Sequence, residues 1–285
     1  MKSEIYYFSG TGNTLFAAEN LANRLGAKLI PIASLVNDCR IETEAYIIGI
    51  VFPVYYGDLP VIVKRFLHLL KNIEGKYIFA VATFGGAAGS SFKTINSILE
   101  PKGAFLSASY GIHMPQNAFL KRWENNDATL NKAISKTEKI ALNTKCKKTG
   151  IHYPGLLMKP VLMLLHEAFK PMYKKGMLKY SNASPETDFD TLIHLSDKSF
   201  TASDSCNGCG ICVKVCPVGN IEMEKGRPVW LNRCENCIAC YNWCPKQAIL
   251  GGISQKNYHF RNNRVKIAEI IGQKDSNEFS KENTE

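Results

Sequence analysis

Eight of the ten cysteines in this 285-residue chain fall between Cys206 and Cys244. They form two runs of one design. Cys206, Cys209, Cys212 and Cys216 are followed by Pro217, and Cys234, Cys237, Cys240 and Cys244 by Pro245. Three thiolates at three-residue spacing can wrap three corners of an iron–sulfur cube, and a fourth sulfur has to reach it from elsewhere. Zinc is the competing reading of Cys-x2-Cys pairs. A zinc ion takes four ligands, however, and gives no use to further cysteines at these offsets with proline behind them. In a reducing compartment such crowding argues for metal rather than disulfides. Cys39 and Cys146 lie outside the runs and read as plain thiols.

A second group of candidates sits near the start of the chain. Ser9, Gly10, Thr11, Gly12, Asn13 and Thr14 follow an apolar run and precede a helical pattern. Unpaired N–H groups at a helix N-terminus carry partial positive charge, and glycines let several of them face one point. Ser9, Thr11, Asn13 and Thr14 add short side-chain donors, so the loop suits a phosphate held without lysine or arginine. The third glycine of a dinucleotide fingerprint is replaced by Leu15, and no Gly-Lys-Ser/Thr of a Walker loop follows. Two further loops combine aromatics with glycine, as a flat ring requires: Pro53, Val54, Tyr55, Tyr56 and Gly57, and Thr83, Phe84, Gly85, Gly86 and Gly89. Each could also be an ordinary tight turn.

The elements that would position these loops can be read from periodicity. Strands are expected at 4–8, 28–30, 45–52, 77–83 and 104–110, and helices at 12–25, 61–70 and 91–99. The alternation predicts a doubly wound parallel sheet, in which ligands sit beyond the carboxyl ends of the strands. All three loops fall at those ends.

On the stretch Phe8 to Thr14 and the order of the later loops, the first 110 to 140 residues resemble the flavodoxin family. The resemblance implies FMN, its phosphate on Ser9 to Thr14 and its ring between the 53–57 and 83–89 loops. Tyr55, Tyr56 and Phe84 are all candidates to stack on it. Gly57 is the candidate for a peptide that turns over with redox state, and Met114 to Asn117 for a flap on the ring edge. Each cysteine run has the spacing of a bacterial-type two-cluster ferredoxin, in which the remote cysteine of one run ligates the other cluster. That resemblance implies one [4Fe–4S] cluster on Cys206, Cys209, Cys212 and Cys244, and a second on Cys234, Cys237, Cys240 and Cys216. The repeat extends past the prolines to Ile221 and Ile249 as paired core residues. Trp230 either shields a cluster or simply packs.

The whole chain resembles the EFR1-type flavodoxin–ferredoxin fusions. The expected fold class is α/β: a flavodoxin-like doubly wound parallel sheet followed by a small α+β two-[4Fe–4S] ferredoxin domain. The expected divisions are an FMN-binding domain at 1–144, a helical joining segment at 145–198, the ferredoxin domain at 199–253, and a C-terminal extension and polar tail at 254–285. The joining segment is expected as short helices broken by Pro154, Pro160, Pro171 and Pro185, with the greasy stretch 155–169 as a buried amphipathic helix. A short helix is expected at 263–271.

The formal charge is +10. Two clusters at about −2 each and an FMN phosphate at about −2 would leave a modest surplus of about +4, so the basic balance argues little for nucleic acid. The start MKSEIYYFSG lacks the pattern of a secretory signal, and no segment reads as membrane-spanning. The chain reads as cytoplasmic. No nucleophile–base motif emerges, and no catalytic residue is assigned; His113 is the one histidine near a ring loop and reads as an ordinary satisfied side chain. One-electron clusters beside a flavin that holds one or two electrons predict electron transfer between the clusters and FMN, in either direction, as an oxidoreductase of anaerobic metabolism working on a small-molecule electron acceptor. The alternative is a carrier relaying electrons to a redox protein partner.

Overall fold

The computed structural model describes residues 2–118, 126–153, 159–253 and 258–275. Pro154, the start of the 155–169 stretch and the polar tail lie outside them.

Six parallel strands build the main sheet: β1 (Ser3–Tyr7), β2 (Lys28–Pro31), β3 (Ile47–Pro53), β4 (Tyr77–Phe84), β5 (Leu106–His113) and β6 (Gly150–Ile151), in the order β2-β1-β3-β4-β5-β6. The first five reproduce the 2-1-3-4-5 order of flavodoxin-like sheets, whose switch point lies between β1 and β3. The central strands are buried along nearly their whole length: Ile5, Tyr7, Ile48, Ile50, Phe52 and Phe79 are fully covered. Burial on both faces explains why β3 and β4 read as continuous apolar runs rather than alternating ones. Helices α1 (Asn13–Leu25), α2 (Val61–Leu69) and α3 (Ser91–Leu99) begin directly after the three candidate loops, and α4 (Asn126–Lys145) packs beside α1.

The joining segment departs from the expected short helices. Helix α5 (Lys159–Ser181) runs continuously through Pro171. Proline removes one helical hydrogen bond, but Pro171 is exposed. The far end of α5 is held by Met177, buried against Leu192 and Ile193 of α6 (Phe189–Leu195). Nor is the greasy stretch wholly buried: Leu164 is 74% and Phe169 44% exposed. Among the described residues no helix is long and apolar enough to cross a membrane.

The cysteine-rich region holds two short helices, α7 (Ile211–Val215) and α8 (Ala239–Asn242), and a hairpin of Ile221–Glu224 on Arg227–Trp230. A second small pair joins Thr201–Ala202 to Ile249–Leu250. Ile221 and Ile249 are buried in one core cluster with Cys212, Cys216 and Cys240, so the sequence repeat folds as a structural one. The expected C-terminal helix is shorter, α9 (Ile267–Gly272).

Candidate functional site

The three loops meet. With Met114, Pro115, Gln116, Asn117 and Ala118 after β5, they wall one cavity of about 520 Å³, a size ordinary for a cofactor site. Every residue singled out in these loops lines it except Gly12. Gly12 has φ +97° and forms the N-cap of α1, packed on Asn262 and Val265; it turns the chain instead of walling the cavity. No charged side chain lines the cavity among the described residues.

At the phosphate end, Ser9, Thr11 and Thr14 are all at most 2% exposed. Their side chains differ in what they can offer. Thr14 Oγ1 pairs with Thr83 Oγ1 at 2.7 Å, and Thr83 also donates to the Phe52 carbonyl. Thr11 Oγ1 accepts from Asn117 Nδ2 at 2.8 Å, and Asn13 Nδ2 donates to the Pro115 carbonyl. Ser9 Oγ is buried with no partner. Among the described residues, none of the N–H groups of Gly10 to Thr14 is engaged by a carbonyl or side chain. A cluster of uncommitted N–H groups at the start of α1, with one orphaned hydroxyl, fits a phosphate. The side-chain contribution thus narrows from four expected donors to the hydroxyls of Ser9 and Thr11, since Asn13 and Thr14 already donate to protein partners and Thr11 only accepts.

The ring loops are sewn to each other. Gly57 O accepts from Ser90 N at 2.8 Å. A Cβ at Gly89, with φ +56°, would fall 1.9 Å from that same oxygen, so only glycine serves there. Turning over the Gly57 peptide has to release the Ser90 bond. Tyr56, at φ 52°, is met edge-on by Tyr173 and Phe189 at 5.7 and 5.8 Å. Tyr55 lies edge-on to Phe8, and burial, with Cys237 nearby, keeps its phenol protonated. Phe169 and Tyr173 of α5 complete an aromatic wall. His113 is exposed and bonds the Gly85 carbonyl at 3.1 Å; it does not line the cavity.

Cysteines of the two runs lie near one another: Cys244 and Cys209 help burial raise the Cys212 thiol, and Cys237, Cys216 and Cys212 that of Cys240. Cys216, Cys234, Cys237 and Cys240 also line one small cavity, capped by Trp230 and Phe200, whose rings stack at 5.7 Å. Burial pushes the Cys212 thiol up to about 11 and Cys237 up to about 12, so these sulfurs stay protonated unless a metal displaces the proton. Backbone N–H groups of Asn220, Asn236 and Ala248 donate to the sulfurs of Cys216, Cys234 and Cys244 at 3.2, 3.2 and 3.3 Å. Such N–H···S bonds stabilise ligating thiolates and tune cluster potentials. Among the described residues no three His, Cys, Asp or Glu side chains converge closely enough for a single ion; the fit to clusters rests on the pairing of the runs and their donors. Cys39 and Cys146 are exposed.

Several residues of the site gave no sequence signal. Asn236 and Ile238, flanking Cys237, line the large cavity. Glu235 accepts from Ile62 N at 2.9 Å at the start of α2, and burial pushes its carboxyl up to about 8. Trp243 donates to Gly10 O, Asn262 N donates to Thr11 O at 3.0 Å, and Gln273 bonds both main-chain groups of Ser9. The cysteine module and the C-terminal extension therefore grip the phosphate loop from behind.

Residues 205–249 match the family described as a 4Fe-4S dicluster domain. No curated protein matches the chain. Solved structures similar to its first half include an archaeal flavodoxin (19% identical, covering 51% of this chain and 99% of that one, TM-score 0.36). Others are the flavodoxin of Streptococcus pneumoniae TIGR4 (18%, 49% and 99%, 0.34) and the two-electron reduced flavodoxin of Megasphaera elsdenii (20%, 47% and 98%, 0.33). At these identities and scores the candidate site stands on its own residues.

Proposed function

We propose that this chain is an electron-transfer flavo-iron–sulfur protein of the flavodoxin–ferredoxin fusion type. It binds FMN in the large cavity and two [4Fe–4S] clusters on the eight paired cysteines, and passes electrons between them. The observation that carries the reading is a shared wall: the residues on either side of Cys237 line the same cavity as the phosphate and ring loops. When bound, the clusters supply one-electron steps and the flavin converts these to paired-electron chemistry. The chain's own residues hold the phosphate through the start of α1 and Ser9, clasp the ring between the two glycine loops, and keep charged side chains away from it.

Within this reading, an oxidoreductase acting on a small-molecule acceptor is favoured over a relay to a protein partner. The α5 residues Phe169 and Tyr173 close one side of the cavity, and no lysine rims it among the described residues. Anaerobic reconstitution tests the cofactors: about eight irons and one FMN per chain are expected, and a preparation that retains no flavin, or holds zinc instead of iron, refutes the reading. Mixing the reduced protein with small quinones and, separately, with an oxidised two-cluster ferredoxin distinguishes the two forms. Faster oxidation by the ferredoxin would favour the relay.

A further inference from the structure

The two cysteine runs are not placed alike. Asn236 and Ile238 bring the second run to the cavity wall, while no residue of the first run lines it. Cys237 and Cys240 are buried, whereas Cys209 is exposed and Cys206 half-exposed. Ile238 has φ 51°, a strained conformation for a β-branched residue, at the point where the wall passes from Cys237 into the cavity.

Gly10 marks the closest approach. A Cβ there would lie 2.6 Å from the Cys237 carbonyl oxygen, 3.1 Å from Cys237 Cβ and 3.2 Å from Tyr55 OH. Gly10 is absent from the positive-φ residues, so its backbone does not require glycine. The space does, and Cys237 is what fills it. The Gly10 carbonyl is pinned by the buried Trp243 indole at 3.0 Å, which holds the phosphate loop against the cluster ligand.

We propose that electrons cross between the modules at the Gly10–Cys237 contact. The cluster on Cys234, Cys237, Cys240 and Cys216 is then the flavin's partner, and the cluster on Cys206, Cys209, Cys212 and Cys244 is the outer one that meets an external one-electron donor. The proposal rests on the cofactor reading above. Each crossing oxidises the inner cluster by one electron and reduces the flavin by one. Two crossings, with protons from water, complete the flavin's reduction, and the outer cluster and the donor refill the inner one.

The test uses the anaerobically loaded full chain and two variants that each keep one cluster, Cys206→Ala/Cys209→Ala and Cys234→Ala/Cys240→Ala. The midpoint potential and EPR line of the surviving cluster are measured with FMN bound and after its removal. The expected result is a shift on flavin removal for the second-run cluster and none for the first-run cluster. A shift on the first-run cluster alone, or equal shifts on both, overturns the proposal. Should the second variant fail to fold, Cys216→Ala serves in its place: the first-run cluster is expected to show no shift on flavin removal, and a shift there contradicts the proposed crossing. A loaded chain with no flavin fails the cofactor reading first and takes this inference with it. Flavin bound with the shift on the wrong cluster defeats this inference alone.

Discussion

The carboxamide of Gln273 pairs with both main-chain groups of Ser9, accepting from Ser9 N at 3.2 Å and donating to Ser9 O at 3.1 Å, across 264 residues of sequence. Gln273 is 1% exposed, so neither bond competes with solvent. The C-terminal extension is thus part of the phosphate loop's support. Replacing Gln273 with alanine removes two buried hydrogen bonds, worth together about 1–2 kcal/mol. FMN affinity should fall by about 5- to 30-fold with cluster content unchanged. Fluorescence titration of the flavin-stripped, cluster-loaded chain checks this, and unaltered affinity would remove the extension from the site.

Ser9 Oγ is the orphaned hydroxyl of the loop, whereas Thr14 Oγ1 is committed to Thr83. The two should respond differently to truncation. Ser9→Ala should weaken FMN by about tenfold, as expected when a charge-assisted hydrogen bond is lost, while riboflavin binding stays unchanged. Thr14→Val should cost about 1 kcal/mol of stability and spare the preference for FMN over riboflavin. The ratio of the two affinities is the readout.

Cys216 ends the first run but lines one small cavity with Cys234, Cys237 and Cys240 of the second. Cys216→Ala should therefore destroy or convert the second-run cluster and leave the first-run cluster's EPR signal intact. Loss of the first-run signal alone would show that each run ligates its own cluster.

Glu19 of α1 is half-buried, and burial, with repulsion from Glu269 of α9, pushes its carboxyl up to about 7. The folded state thus holds this proton more tightly than the unfolded chain, where a glutamate titrates near 4.3. The stabilisation is fully present below that value and is lost as pH rises through about 7. The approach of Glu269 on α9 to Glu19 on α1 should become repulsive over that window. Amide exchange in residues 258–275 should speed up between mildly acidic and mildly alkaline pH, and Glu19→Gln should flatten the dependence. An unchanged profile in that variant would exonerate Glu19.

Much of this arrangement was legible from local pattern. Continuous apolar strands, three glycine-bearing loops at their carboxyl ends and a doubled cysteine spacing each carry a period or an offset that survives in one dimension. What stayed hidden was long-range and without period. Gln273, Asn262 and Trp243 reach the phosphate loop through side chains whose types are unremarkable where they stand. Gly10 read as a phosphate-loop glycine, although its small size answers to Cys237. Pro171 read as a helix break, but tertiary burial of Met177 farther along α5 outweighs one missing hydrogen bond. Asn13 and Thr14 read as phosphate donors because a sequence does not show which hydroxyls and amides are already engaged.

The shared wall is tested most directly by the kinetics of flavin reduction after electrons are placed on the clusters of the loaded chain. Electron passage within one polypeptide predicts flavin bleaching whose rate constant is independent of protein concentration on serial dilution. A rate constant that falls in proportion to dilution would show that electrons reach the flavin only by collision between molecules, and would contradict the account.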